Sequence, residues 1–283
     1  MPSPTPISKT GANDDNVIFT ANEDEVARLD IQHKVVQACM PKPILAPVDL
    51  DKEPLRILDQ ATGSGIFLRD LRALHPHTPH TYTGTDIETS YFPSSPTPDT
   101  SYHFQSMTAP WPASWNQSFD LVHSRMALPG VGTTPLTTAI EGLLGLVKPG
   151  GWIQFVEMHW EGWSTGAAMT ALHAATRKLL VCVTEGQGVD LEGKIRGVLG
   201  AKGWVNVGGE VVSVRLGKSA DESVRELSER SMLATTKGVV ETLGKIGLGS
   251  EELEGLPERV VREIRGEGGE WQLFVVCAQK PVN

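Results

Sequence analysis

The sequence predicts an α/β fold: a seven-stranded, mostly parallel sheet with helices on both faces, an N-terminal helix before it and a helical insert near the C-terminus. Three observations carry this reading. Short apolar runs alternate with stretches of helical periodicity along the 283 residues, as parallel crossovers require. The first run leads into Ile57-Leu58-Asp59-Gln60-Ala61-Thr62-Gly63-Ser64-Gly65-Ile66-Phe67: a strand, an acid, a tight turn of small residues, then a helix. Polar residues close several other strands, and in such sheets ligands sit beyond the carboxyl ends, near the switch point.

The elements follow in order. Met1 to Asp15 is rich in Pro, Ser, Thr and Asn without an apolar segment, so residues 1–20 read as a disordered tail and not as a signal or transit peptide. Asn22 to Met40 is predicted as a helix, with Asn22 as N-cap and Glu23, Asp24 and Glu25 in its first turn. Val26, Leu29, His33 and Val36 fall at helical spacing, and Pro41 and Pro43 end the run. The helix forms a cap over 21–48 ahead of a domain over 49–283. Leu55 to Asp59 is the first strand, Gly65 to Leu74 the first crossover helix, and Thr81 to Asp86 the second strand. Ser101 to Gln105 and Phe119 to His123 are the third and fourth. Thr134 to Val147 is a helix stopped by Lys148-Pro149-Gly150-Gly151, and Trp152 to Glu157 is the fifth strand. Helical patterns fill Thr165 to Val183 and Leu191 to Lys202, and Trp204 to Leu216 reads as extended. Ser219 to Ile246 and Glu251 to Arg265 make the insert, over about 219–265, as a lid or a homodimer face. Gln272 to Gln279 is the last strand.

A formal charge of −9 and the absence of any Lys/Arg-rich run argue against a nucleic-acid partner. Cys39, Cys182 and Cys277 are scattered without metal-ligand spacing, so no metal site is expected and the thiols read as reduced, in a cytoplasmic or nuclear protein. No run is long enough to span a membrane.

The first turn carries the chemistry. Gly63 and Gly65 let the backbone bend and a ligand come close. A dinucleotide site requires a third glycine, and here Ile66, Phe67 and Leu68 follow instead. Asp59 would repel a pyrophosphate and attract a cation. The turn resembles the D-x-G-x-G-x-G loop of class I methyltransferases, which fold in a Rossmann-like manner and hold S-adenosyl-L-methionine (SAM), a sulfonium that also bears an ammonium. Ala61 takes the place of the first glycine, which its methyl group tolerates at negative φ.

Other strand ends supply candidates. Asp86 has two oxygens to match a vicinal ribose diol. Ser106, Met107 and Thr108 follow the third strand, where such enzymes often place an acid for the adenine amine; here the Ser106 hydroxyl or backbone groups remain, and Met107 can pack on the ring. His123, Ser124 and Arg125 end the fourth strand, a segment expected beside the methionine part of SAM, with His123 as a general base, a ligand contact or a hydrogen-bonded structural histidine. Glu157 and His159 end the fifth, with His159 either a proton acceptor, as a histidine's unperturbed chemistry allows, or a solvent-facing loop residue. Trp111, Trp115, Trp160 and Trp163 are expected near one rim, lining an aromatic pocket or capping the core.

A wider resemblance covers residues 22 to 160. Glu25-Val26-Ala27-Arg28-Leu29-Asp30-Ile31-Gln32-His33 looks like the E-x-x-R-L-D-x-Q-H helix of LaeA-like (UMTA-type) fungal methyltransferases. Leu58 to Ile66 is similar to their L-D-x-[GA]-T-G-T-G-I loop, and Thr85-Asp86-Ile87 to their T-D-L turn. Phe119 to Met126 resembles F-D-x-[IV]-H-x-R, and Lys148 to Glu157 resembles K-P-G-G-W-x-E-F-x-E, with Gln154 at an often acidic position. The resemblance implies a SAM-dependent enzyme of fungal secondary metabolism whose N-terminal helix folds over the cofactor, bringing Arg28 and Gln32 towards its carboxylate or the substrate. It implies methyl transfer to O, N or S of a small natural product. Two alternatives are a non-methylating step such as a cyclisation on the same fold, with or without SAM, and a regulatory partner protein.

Overall fold

A computed structural model describes residues 18–164 and 166–282. Seven strands form one sheet: β1 (Arg56–Gln60), β2 (Thr81–Asp86), β3 (Thr100–Phe104), β4 (Phe119–Arg125), β5 (Val147–His159), β6 (Val205–Leu216) and β7 (Gly269–Gln279). Their order is β3-β2-β1-β4-β5-β7-β6. Neighbours from β3 to β5 pair in parallel, and β7 runs antiparallel to both β5 and β6. The switch point falls beside β1, which starts one winding towards β2 and is flanked by β4 from the other.

Successive residues of each strand bury on opposite faces, as the pleat demands. Ile57, Leu121, Leu273 and Val275 join a core with α1 (Glu23–Cys39), α2 (Ile66–Leu74), α4 (Ala167–Val183), α6 (Arg225–Lys245) and α7 (Leu256–Glu267). Leu58, Val122, Phe274 and Val276 join the other, with α3 (Leu136–Leu146) and α5 (Leu191–Ala201). The doubly covered sheet is the one the alternating pattern predicts.

Several boundaries differ from the sequence reading for physical reasons. Lys148 to Gly151 does not stop before the fifth strand but belongs to it, with the register shifting between Phe119 and Leu121 and Gly150 at φ 80°. Strand β4 continues two residues past His123, to Arg125. Residues 217–224 form short 3-10 turns, so α6 starts only at Arg225. Asn22 caps α1 as expected, its side chain accepting the Glu25 amide at 2.9 Å, a contact worth about 1 kcal/mol.

Of the tail assigned to residues 1–20, residues 1–17 lie outside the described residues. Ile18, Phe19 and Thr20 are packed on α6: Thr242 Oγ1 donates to the Ile18 carbonyl at 3.0 Å and Lys245 Nζ to Thr20 Oγ1 at 2.7 Å. Among the described residues no helix is long and apolar enough to cross a membrane.

Candidate active site

A cavity of about 320 Å³ opens at the carboxyl ends of β1, β2, β4 and β5. Its floor holds Asp59 to Ser64 from the first turn, Asp86 to Glu88 after β2, Gln105 and Met107 after β3, Arg125 to Ala127, and Glu157 with Met158. Its roof comes from Ile18 and Phe19, from α1 (Glu25, Arg28, Leu29, Gln32), from α4 (Thr176, Leu179, Leu180) and from α6 (Thr235, Val239).

Left-handed backbone at alternate residues makes the turn: Ala61 at φ 54°, Gly63 at 54° and Gly65 at 72°. The two glycines occupy this region freely, but Ala61 does not sit at the negative φ expected of it. Its Cβ crowds the following carbonyl, a strain of about 1–2 kcal/mol. A Cβ on Gly65 or on Gly84 would overlap the ring of Tyr102. Tyr102 lies level with Gly84 across the β2–β3 pair, so an aromatic ring fills the space a glycine leaves and backs the turn. The sequence reading missed Tyr102, although an aromatic in β3 opposite a glycine in β2 is a signal that register alone would supply.

Asp59 is buried behind the turn. Thr62 Oγ1 donates to its Oδ2 at 2.6 Å, and His123 Nδ1 lies 2.7 Å from its Oδ1. His123 is itself buried, stacked on Phe67 with ring centroids 4.0 Å apart, and is not among the residues lining the cavity. Burial pulls its pKa down, against the hydrogen bond it makes to Asp59, which raises it. A neutral ring then donates through Nδ1 and orients the carboxylate. Of the three roles open to His123, the geometry selects the hydrogen-bonded one. It does not line the cavity because its ring is closed between the Asp59 carboxylate and the Phe67 ring.

Asp86 lines the cavity as expected. The Gly63 amide donates to its Oδ2 at 2.8 Å and the Glu88 amide to its Oδ1 at 3.0 Å. Each oxygen keeps a second lone pair, and the two amides fix the plane of the carboxylate. Burial raises its pKa, while the amides of Glu88, Gly63 and Ile87 pull it back. Ile87 and Met107 supply apolar surface on the same side of the cavity. Ser106 and Thr108, by contrast, do not line it: the Ser106 hydroxyl is bonded to the Thr108 hydroxyl at 2.8 Å and receives the Thr108 amide at 3.0 Å. Gln105, which the sequence reading passed over, takes the place expected for Ser106.

Two arginines line the cavity, and they differ in their partners. Arg28 is clamped by Glu25, Nε to Oε2 and Nη2 to Oε1, each at 2.7 Å, and lies over the Phe19 ring. Arg125 donates from Nη2 to His33 Nδ1 at 2.9 Å, and His33 Nε2 lies 2.9 Å from Asp70 Oδ2. Burial, with the Arg125 charge added, holds the His33 pKa at about 4, so the ring is neutral and accepts from the guanidinium while donating to Asp70.

Glu157 is 1% exposed and faces the cavity. The amides of Ala127 and Leu128 both donate to its Oε1, each at 2.9 Å, and among the described residues Oε2 has no hydrogen bond. Burial pushes its pKa up to about 7, against those two amides. His159 is elsewhere: β5 outruns β4 after Val156, pairs only with β7, and carries His159 along that ribbon, level with Gln272. Its Nδ1 lies 3.2 Å from the Glu161 carbonyl. The tryptophans do not share one rim. Trp111 and Trp115 pack with each other against the α3–α5 core, whereas Trp160 and Trp163 stack beside His173 and Trp271 on the opposite core.

The residues present suit SAM: a fixed carboxylate with free lone pairs for a diol, apolar walls for a base, a turn open to close backbone approach, and acids near the cationic end. No protein-family model matches the chain. It is 34% identical to N-methyltransferase sirN of Leptosphaeria maculans over 94% of this chain and 95% of that one. It is 33% identical to methyltransferase psoC of Aspergillus fumigatus over 84% and 88%, and 31% identical to N-methyltransferase tcpN of Claviceps purpurea over 92% and 95%. Among solved structures, phosphoethanolamine N-methyltransferase 2 of Haemonchus contortus, crystallised with S-adenosyl-L-methionine, aligns with a TM-score of 0.45 at 15% identity, over 88% of this chain and 52% of that one. Fold, cavity and relatives define a Rossmann-like enzyme, a SAM-dependent class I methyltransferase. The similarity to the curated relatives runs through the C-terminal half as well as the motifs. The chain belongs to the fungal methyltransferase family of sirN, psoC and tcpN.

Proposed function

We propose that this enzyme transfers the methyl group of SAM to a nitrogen of a small, largely apolar fungal secondary metabolite. Bound in the cavity, SAM supplies an electrophilic methyl on a charged sulfonium. The protein's own part is to align the acceptor, exclude water and take up a proton. Asp86 receives the ribose hydroxyls, Ile87 and Met107 flank the adenine, and Gln105 serves its amine. Gly63 and Gly65 admit the ligand to the backbone, beside Ala61. Asp59, oriented by His123 and Thr62, faces the ammonium.

One observation carries the acceptor chemistry: the buried carboxyl of Glu157 at the cavity wall, with its pKa near neutrality. An ammonium or a weakly acidic N–H must lose a proton for the methylated nitrogen to leave neutral, and a carboxylate poised near pH 7 accepts it efficiently. Relatives named as N-methyltransferases support nitrogen over oxygen or sulfur. The roof residues Phe19, Leu179, Leu180 and Val239 support an apolar acceptor. The test is turnover on matched apolar acceptors that differ only in offering N–H, O–H or S–H, with the methyl position fixed by NMR. Selective N-methylation supports the reading; preferred methylation of oxygen or sulfur overturns it.

A further inference from the structure

Arg125 is a cation without a matched anion. Its guanidinium has five N–H donors, yet among the described residues its side chain makes one hydrogen bond, to the neutral His33, and no ion pair. Asp59 and Asp70 act on it only from a distance, and burial lowers its pKa in spite of them. Taking a guanidinium out of water costs several kcal/mol unless a partner compensates. Arg28, the other arginine on the cavity, is already closed on Glu25 through both arms of its fork. Its Nη1 points to Thr235 Oγ1 at 3.5 Å, so the Arg28 charge, which the resemblance aimed at the carboxylate or the substrate, is already matched by a carboxylate of its own helix.

The position of Arg125 says which anion it awaits. Strands β1 and β4 lie side by side, with Asp59 level with His123. Arg125 thus stands two residues further along the neighbouring strand, and adjacent strands are about 4.8 Å apart. An acid and a base so spaced on one cavity floor match a zwitterion that carries ammonium and carboxylate on a single carbon. The methionine end of SAM is such a group. The ring of Phe67 lies under the guanidinium, with Cζ 5.5 Å from its centroid, and the Asp70–His33 pair braces it from α2 and α1.

We propose that Arg125 anchors the α-carboxylate of SAM, and that His33 and Asp70 are positioning residues that aim it. This rests on the reading that the cofactor lies across the β1–α2 turn, with Asp86 at its ribose.

Calorimetry with three ligands tests it: S-adenosylhomocysteine, its decarboxylated analogue, and 5′-methylthioadenosine, which lacks the amino acid altogether. Wild-type protein prefers S-adenosylhomocysteine to the decarboxylated analogue by about 10- to 150-fold, the worth of a charge-assisted hydrogen bond. Arg125→Gln abolishes that preference and leaves 5′-methylthioadenosine binding unchanged. Arg125→Lys, which keeps the charge but not the fork, retains part of the preference and guards against a folding artefact. His33→Phe reduces the preference, and His33→Gln, whose side-chain oxygen can accept from the guanidinium, restores part of it. Wild-type protein that binds S-adenosylhomocysteine and its decarboxylated analogue equally, or Arg125→Gln that weakens all three ligands alike, overturns the proposal and spares the cofactor reading. Wild-type protein that binds none of the three overturns both.

Discussion

The floor and the roof of the cavity are built on different plans. On the floor, Asp59, Asp86, Arg125 and Glu157 each hold at least one hydrogen bond to a neighbouring side chain or amide before any ligand arrives. On the roof, Leu29, Leu179, Leu180 and Val239 offer hydrocarbon, and the charges of Arg28 and Glu25 are spent on each other. A preorganised polar floor recognises one ligand of fixed chemistry, because its dipoles need no rearrangement. An apolar roof selects by shape, which side-chain replacement can retune while the floor stays constant. On the function proposed above, the floor holds the cofactor and the roof shapes the acceptor, with Glu157 the one floor residue that serves the acceptor.

The most forceful way to break that assignment is Glu157→Gln, since Glu157 is the floor residue proposed to serve the acceptor. Its kcat is expected to fall by about 10²- to 10⁴-fold, with the Kd for SAM within about twofold of wild type. Wild-type kcat is expected to rise with pH through about 7, because only the carboxylate accepts a proton. A flat profile, or a loss confined to SAM affinity, would return Glu157 to the cofactor side.

Stability against pH sharpens the same contrast. A carboxyl raised from 4.5 to about 7 binds protons more tightly folded than unfolded, so Glu157 erodes stability as pH rises across that range, by about 3 kcal/mol. His33, lowered to about 4, does the reverse: it erodes stability as pH falls from about 6.5 to 4, by a similar amount. The two slopes largely offset each other in the wild type. Denaturant unfolding across this range is therefore expected to slope downwards with rising pH in His33→Gln and upwards in Glu157→Gln. Two parallel slopes would refute the pairing.

On the roof, Phe19→Ala is expected to raise the acceptor KM about tenfold, the cost of losing most of one buried aromatic contact, while SAM affinity holds. Equal loss of both would erase the distinction between the walls. The smallest effect belongs to the turn: Ala61→Gly relieves the left-handed strain but adds unfolded-chain entropy, for a net gain of up to about 1 kcal/mol in unfolding free energy.

What the sequence made legible was local. The strand–turn–helix around Gly63 and Gly65, the Asn22 cap and Asp86 at a strand end each announce themselves within a few residues. Glu157 was legible for the same reason, as the end of an apolar run. What escaped depends on pairings between distant segments. His33 meets Asp70 across 37 residues and Arg125 across 92, and no local periodicity marks such a contact. His123 was placed at the cavity with Ser124 and Arg125 as the end of β4, but its ring is held by Asp59 and Phe67, and of the three only Arg125 lines the cavity. His159 was placed there because strand ends favour sites, but β5 had already left its parallel neighbour. Ser106 and Gln105 exchanged roles through a one-residue difference in where β3 ends.

The bond from Thr242 to the Ile18 carbonyl joins points 224 residues apart in the chain. On the ribosome, the strands and turn of the floor emerge before α6, so part of the cavity's cover is made only after its floor. The roof is complete only when this late-made helix packs against Ile18 and Phe19, made some 224 residues before it. Truncation after residue 224 would remove α6 from the roof and β7 from between β5 and β6, so cover and sheet would be lost together.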